Sequence, residues 1–537
     1  MSNRSIPVVA LFALLAGCAE APPPPPVVPP PAVAPPAPPP PPPAPTTPDA
    51  DYRKQAPTPG PDVVFAPPQI QEFALSNKIR VLLVERHELP IVAVQLSSTL
   101  GADHGQPGVG AFAGALMLAG TKTRTALDIS DSFRALGGSY GGWVDYDGSH
   151  LSVQVLSSKV GDGLALLSDV AEHPTFPKEE VERERSRRLT SLAQERDSPQ
   201  RLLGNVVAAS LYPANHPYAM PLLGNEEIVK KVSAADLARF HGATMQPDHV
   251  TIAIAGDITK AQAQAELEKA FGSWKGAAGR GKSPVEQKDD EVAKLRDACL
   301  VSATCGGLAK DVRVVIVDRP NSSQSNVSVA HVGEPRLTKD YDALLVMNTI
   351  LGGQFSSRLN MNLREAHAYT YGAGSGFDYR HGPGPFRAGG AIVREATAPA
   401  VKEILSEIDR MRREPPTDEE LENAKSSLIK SLPARFETAG ETAGTMASMA
   451  VYGLPLDEFA TRPARIAKVT KEDVLRVAKA HLVPERFRVV IVGEASKIKA
   501  DLDALKLGTV EVRPAPKGDD KADTTKAPPP KAVPKKK

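Results

Sequence analysis

The sequence predicts an α+β fold built twice over, as two tandem units of roughly 200 residues each. Two observations carry this. Between about residues 63 and 512 the same order of elements occurs in two passes. Each pass opens with a pair of β-rich runs and closes with a helix followed by a strand ending in glycine. The composition agrees: of 537 residues, 41% are hydrophobic and 24% charged, which is ordinary globular usage and enough for a large core.

In the first pass the runs 79–84 and 91–96 are β-branched and apolar and flank a polar turn at Glu88, so they read as paired strands. The runs 312–317 and 326–330 repeat this across Pro320-Asn321. A helix follows each pair, over 111–119 and 341–351. Next comes a glycine-punctuated strand region, 137–143 and 371–375. Long charged helices are expected at 177–195 and 417–432. Helix then strand close each pass: 234–241 with 250–256, and 471–481 with 487–493. The stretch 279–311 is the expected linker, so the domains fall at 63–278 and 312–512.

Lys and Arg total 64 against 63 Asp and Glu, a net charge of +1, so no basic face for nucleic acid is expected. Three cysteines exclude a disulfide-built scaffold and a paired Cys-x-x-Cys zinc module. Cys299 and Cys305 stand either as thiols or as a disulfide closing a small loop. The 11 histidines are scattered, with no pair at the three- or four-residue spacing that puts two imidazoles on one helical face. His173, His216 and His367 read as surface or hydrogen-bonded residues rather than ligands. The alternating Glu/Arg run over 179–188 reads as a solvated helix face.

The ends of the chain have a different character. Arg4, a short apolar run over 8–16 and Leu15-Ala16-Gly17-Cys18 resemble a bacterial lipoprotein signal. The resemblance implies cleavage after residue 17 and lipidation of Cys18. Ala19, where an inner-membrane retention signal would place Asp, points to the outer membrane, with the chain facing the periplasm. An ordinary signal peptide, or a cytosolic chain with an apolar start, is the other reading. Residues 18–62 are dominated by Pro, Ala and Val and form an extended polyproline tether. Residues 513–537 form a basic tail expected to be disordered.

The segment 108–121, Gly-Val-Gly-Ala-Phe-Ala-Gly-Ala-Leu-Met-Leu-Ala-Gly-Thr, resembles the inverted zinc motif of the M16 metallopeptidases, the pitrilysin and mitochondrial-processing-peptidase relatives. That family carries His-x-x-Glu-His in this frame. Here Ala111 and Ala115 stand at the two His positions, and Gly114 stands at the general-base Glu. The family's third ligand lies seven residues beyond the Glu of a Glu-Arg pair. Glu184-Arg185 matches the pair, and the ligand position falls on Ser191. A catalytic zinc needs three protein ligands and a base for its water. These four side chains supply neither, so no metal is expected in this chain and zinc only in a partner.

In the second pass, 351–359 leads into Leu363-Arg364-Glu365-Ala366-His367-Ala368-Tyr369-Thr370-Tyr371-Gly372. The family places an Arg and a Tyr seven residues later here, reaching peptide substrate. Arg364 and Tyr371 keep that spacing. An Arg offers five fixed donors to a peptide carbonyl, and a phenol can bond the same oxygen. The bland reading is a surface ion pair at Arg364 and a packed ring at Tyr371. Tyr369, two residues earlier, is expected to share the strand face of Tyr371 and to line either the core or the chamber.

The resemblance implies two M16-like domains, each a mainly antiparallel sheet covered by helices. It further implies a zinc-free subunit that pairs with a zinc-bearing M16 peptidase and closes a chamber around peptide, which would add as a strand beside 137–143. The competing reading is a stand-alone peptide-binding or envelope scaffold protein. An unrecognised active site has no support from a Gly-x-Ser-x-Gly elbow.

Overall fold

The apolar runs that open each half become the inner strands of a six-stranded sheet. A computed structural model describes residues 65–276 and 311–516, with Gln55 apart from them. Cys18, Cys299, Cys305, the tether and nearly all of the linker and tail lie outside the described residues. In the first half β1 (Gln71–Ala74), β2 (Arg80–Glu85), β3 (Ile91–Ser98), β4 (Ser139–Val144), β5 (Ser149–Leu156) and β6 (Val250–Gly256) lie side by side as β1-β2-β6-β3-β5-β4. In the second, β7 (Val312–Asp318), β8 (Gln324–Val332), β9 (Thr370–Phe377), β10 (Pro385–Val393), β11 (Arg488–Gly493) and β12 (Thr509–Pro514) lie as β12-β7-β11-β8-β10-β9.

The two orders are the same pattern. β2 and β6 pair in parallel, as do β7 and β11, and every strand from there to β4 or β9 is antiparallel to its neighbour. The difference is the outer strand. In the first half it precedes the unit, as β1 antiparallel to β2. In the second it follows, as β12 parallel to β7. β12 runs to Pro514, two residues beyond the boundary expected at 512.

Helices cover one face of each sheet. The first half has α1 (Val109–Leu116), α2 (Ala126–Ala135), α3 (Val160–Glu172), α4 (Lys178–Asp197), α5 (Pro199–Leu211), α6 (Glu226–Lys231), α7 (Ala234–Thr244) and α8 (Lys260–Phe271). The second has α9 (Tyr341–Asn348), α10 (Thr397–Arg413), α11 (Asp418–Lys430), α12 (Ala439–Val451), α13 (Glu458–Ala467), α14 (Lys471–His481) and α15 (Ala495–Ala504). Their starts follow from local chemistry. Thr125, Ser233, Thr259, Thr417, Thr438 and Thr470 each cap a helix through a reciprocal box with the residue three positions on.

The core of each half lies between sheet and helices. Val81, Leu83, Val92, Val94 and Ile254 meet Phe112, Leu164, Leu167 and Leu237 in the first. Val314, Ile316, Val329, Val489 and Ile491 meet Leu344, Ile404, Val477 and Ile498 in the second. The opposite sheet faces are also covered, each by a helix from the other half. α12 lays Ala443, Met446, Ala447 and Ala450 on Leu82, Val84, Ala93, Ala253 and Ala255. α5 lays Val207 and Leu211 on Ala330, Val332 and Val490. This exchange explains why β2, β6, β7 and β11 are apolar on consecutive residues instead of alternating: both faces are buried. It also makes the described residues of the two halves one compact unit.

Candidate functional site

The zinc frame of the first half lies on α1, and its central position is closed by packing. Ala111 and Gly114 are buried. A Cβ placed on Gly114 would lie 2.6 Å from the backbone nitrogen of Val144 and 2.8 Å from the carbonyl carbon of Trp143. On the other side, a Cβ on Gly142 would lie 3.1 Å from the Gly114 carbonyl oxygen. Helix α1 therefore rests directly on the backbone of β4, glycine against glycine. No side chain fits at Gly114 unless the strand moves.

α4 supplies the floor of the same region, and here one expectation is corrected. The Glu/Arg run is not a uniformly solvated face. Val181, Glu184, Arg188 and Leu192 share one helical stripe and are all buried; Glu184 is 6% and Arg188 5% exposed. They form an ion pair, with Arg188 Nε 2.8 Å from Glu184 Oε1. Arg188 Nη2 donates to the Ala111 carbonyl at 2.6 Å, and its guanidinium lies 4.9 Å from the Phe112 ring centroid. A buried cation thus sits against the backbone of one degenerate ligand position. Ser191, the third, is half-buried on α4. Alanine, glycine and serine offer no zinc ligand set, the packing closes the position of Gly114, and Arg188 brings positive charge. The residues present do not fit a catalytic zinc here.

The segment of the second half that carries Arg364 and Tyr371 has an irregular backbone. The helix expected over 341–351 is regular to Asn348, then widens into i→i+5 turns over Thr349–Gly353 and again over Met361–Ala366. Such bulged turns concentrate at functional sites. Asn360 ties the second bulge to β9: its Oδ1 accepts from the Ala373 N–H at 3.3 Å and its Nδ2 donates to the Phe355 carbonyl at 2.8 Å. Ala368, between them, has φ 53°, a left-handed conformation disfavoured for a residue with a Cβ. Thr370 Oγ1 donates to Ala391 O at 2.6 Å, and the β9–β10 register shifts at Gly390/Ile392. A register irregularity of this kind re-aims a neighbouring side chain.

Arg364 and Tyr371 both face outward. The Tyr371 ring is 90% exposed. The Arg364 guanidinium lies 4.8 Å from the centroid of the exposed Phe355 ring, with its Nε 3.5 Å from Glu365 Oε1. The expected surface contact at Arg364 is therefore present but long and exposed, and exposed pairs of this kind contribute little to stability. Tyr371 is not packed into the core. Tyr369 packs against the second core, with His367 stacked on it at 4.9 Å.

β4 and β9 are the equivalent terminal strands of the two sheets, each paired on one side only. β4 carries the segment 139–144, with Tyr140 stacked on Phe133 at 4.2 Å and a partly exposed Trp143 stacked on His150 at 4.9 Å. An unpaired strand edge presents N–H and C=O groups that an extended peptide can match.

The described residues hold one group with metal-ligand character that sequence reasoning missed: Asp103, Asp147 and His381 bring one ligand atom each within 4.8 Å of one another. The oxygens of Asp147 already accept from the His381 backbone N–H at 3.0 Å, Tyr452 OH at 2.8 Å and Tyr218 OH at 3.4 Å. His381 Nε2 lies 2.9 Å from the Val451 carbonyl, so that nitrogen carries the proton. Satisfied in this way by both halves of the chain, Asp147 acts as a polar clasp between them. Burial raises its carboxyl above the usual Asp range.

Two histidines, His241 buried and His216 half-buried, give a pH dependence. Burial pushes His241 down to about 4, and His216 likewise to about 4, there with help from Arg380. Both lie below the ordinary value of 6.5, so the unfolded chain takes up protons first as pH falls. The stability these residues contribute is present above about pH 6.5 and is lost as pH drops toward 4. For His241 the loss at pH 5 is roughly 2 kcal/mol. Urea unfolding at pH 7 and pH 5 checks this, and His241→Gln should remove its share of the difference.

Comparison with known proteins identifies the family. A family model described as "Insulinase (Peptidase family M16)" matches residues 80–226, and one described as "Peptidase M16 inactive domain" matches 231–428. The chain belongs to the M16 peptidase family. It is 24% identical over 377 residues to an uncharacterized zinc protease of Bacillus subtilis, YmxG, covering 69% of this chain and 85% of that protein. It is 27% identical over 380 residues to an uncharacterized zinc protease of Mycobacterium bovis, covering 70% and 82%. Among solved structures, a peptidase M16 inactive domain from Pseudomonas fluorescens superposes with a TM-score of 0.69 at 26% identity, over 79% of this chain and 98% of that one. A protease from Helicobacter pylori shares the fold at TM-score 0.68 and 19% identity, over 79% and 99%.

Proposed function

We propose that this chain is a non-catalytic, zinc-free M16 subunit that pairs with a zinc-bearing M16 peptidase and helps hold peptide in the chamber between them. The observation that carries the proposal is the contrast between the two frames. The frame that would hold zinc is filled by helix–strand packing at Gly114. The frame that would reach substrate keeps Arg364 and Tyr371, both outward-facing and spared from the core. An exposed tyrosine at a sheet edge adds nothing to folding that would account for it. A peptide carbonyl can accept from the Arg364 guanidinium and the Tyr371 hydroxyl, while its backbone pairs with a free strand edge. The partner supplies the metal and the water; this chain supplies position and charge. The lipid anchor at Cys18 would hold the pair at the outer membrane on the periplasmic side.

The test is a peptidase assay on this chain mixed with a zinc-bearing family member from the same cell. Arg364→Ala is expected to cut the mixed activity by about a hundredfold, and Tyr371→Phe by about tenfold, as for loss of one substrate or oxyanion contact. Full activity in both variants would remove the substrate-facing role. The second reading, a stand-alone peptide-binding or scaffold protein, draws on the same free edges of β4 and β9. It predicts peptide binding without any gain in hydrolysis on mixing.

A further inference from the structure

A second polar feature of the sheet in the second half is not used by Arg364 or Tyr371. On the face covered by α5, a groove of about 440 Å³ runs beside that helix. Gln200 and Leu203 from α5 form one wall, and Asn326, Ser328, Gly374 and Arg387 from β8, β9 and β10 form the rest. Arg387 lies against α5 at Gly204, where an added Cβ would be 3.9 Å from Arg387 Nη1. Its Nε is buried with no acceptor, and the neighbouring Ser328 Oγ is also buried without a partner.

The charge around Arg387 does not balance. The nearby carboxylate, Asp378, is taken by Arg380, whose Nε and Nη2 donate to Asp378 Oδ2 at 3.1 and 2.5 Å. Two guanidinium groups therefore share one carboxylate. Arg380 is further held over the rings of Tyr146 and Tyr218, at 3.8 and 4.5 Å. Arg387 has neither an ion pair nor an aromatic face among the described residues. Arg387 is half-buried, with only its Nε enclosed without an acceptor, and it lines the groove with donors to offer. Five fixed donors, a hydroxyl and two side-chain amides on a glycine-lined floor match a planar, two-oxygen acceptor.

We infer that Arg387, with Ser328 and Asn326, forms a carboxylate-binding subsite that anchors an acidic group of a bound peptide. The group is either the C-terminal carboxylate or an Asp or Glu side chain. Gly374 and Ser375 of the terminal strand β9 also line the groove, so a peptide on that sheet edge can place a carboxylate here without leaving the strand. The inference rests on the peptide-binding part of the reading above and is independent of pairing, because it concerns this chain alone.

The experiment uses the full chain without partner and three fluorescein-labelled ten-residue peptides. One ends in a free carboxylate with no acidic side chain, one is its C-terminal amide, and one is the amide with a single internal Glu. Anisotropy is expected to show at least tenfold tighter binding of one carboxylate peptide than of the neutral amide. The free-ended peptide winning identifies a C-terminal anchor, and the Glu peptide winning identifies a side-chain anchor. Arg387→Met should abolish that preference while leaving the neutral amide unchanged, and Arg387→Lys should keep part of it. Arg387→Met should also leave the urea midpoint of the free chain unchanged or raised, since it removes an uncompensated charge. Equal binding of all three peptides, no binding of any, or a preference that survives Arg387→Met overturns the inference. A lowered midpoint with unchanged preference would assign Arg387 a structural role instead. Failure of pairing with a zinc-bearing partner leaves every one of these readings intact.

Discussion

Gly114→Glu, the substitution that restores the family's general base, should destabilise the chain by at least about 3 kcal/mol and yield no peptidase activity. The cause is steric before it is chemical. The first atom of any side chain at 114 falls 2.6 Å from the Val144 nitrogen, on the backbone of a strand that belongs to the sheet. A strand cannot swing aside as a flexible side-chain tip can. The glutamate would also be an added carboxylate in a buried position. Adding Ala111→His and Ala115→His supplies ligands without creating the space, so the triple variant should be no more active. Gly242 on α7 is the matched control, because a Cβ there meets nothing within 4 Å. Gly242→Glu should be neutral or raise stability by up to about 1 kcal/mol through helix propensity. Urea midpoints of the two variants against the parent decide the matter. A folded Gly114→Glu protein of parental stability would show that the helix–strand contact is not as tight as described.

The second large effect is expected at the buried ion pair of α4. Glu184→Gln leaves Arg188 buried without its counter-charge and should cost about 3–5 kcal/mol. Burial already holds the Arg188 guanidinium below its usual range, with Glu184 opposing that shift. Removing Glu184 therefore removes what keeps the cation in place. Arg188→Met should cost less, because Glu184 keeps its bond from Arg187 Nε at 2.6 Å, although the change breaks the bond to the Ala111 carbonyl. The double change Glu184→Leu with Arg188→Met removes both buried charges and should cost less than Glu184→Gln alone. A double-mutant cycle in urea measures the coupling. Additive losses would mean that the two side chains do not depend on each other.

These effects show where the sequence is legible and where it is not. The strand pairs at the start of each half, the closing strands and the long helices stand out because β-branched runs, capping residues and glycine punctuation act locally. The strand 250–256 and the helix 471–481 are read to the residue. α5 and α12 were not read. Each owes its place to the sheet of the opposite half, a contact between residues far apart in sequence. The buried pair Glu184–Arg188 was hidden in a run of like composition. Its signal was the spacing to Val181 and Leu192 on one stripe, which charge counting passes over. The reading of Ala111, Gly114, Ala115 and Ser191 as a degenerate zinc frame rests on their residue types and on the resemblance. That Gly114 is packed shut was not legible, because the atoms that close it belong to β4. The clasp of Asp147 and His381 and the unpaired Arg387 depend likewise on contacts across the halves.

The most direct test of the central claim is peptide hydrolysis measured for this chain alone, for a zinc-bearing M16 partner alone, and for the two together, with complex formation followed by size-exclusion chromatography. The account predicts no turnover by this chain and a mixed species with activity well above that of the partner alone. Turnover by this chain alone would contradict the reading of Ala111, Gly114, Ala115 and Ser191 as unable to hold zinc, and a mixture with neither complex nor gain would contradict the subunit role.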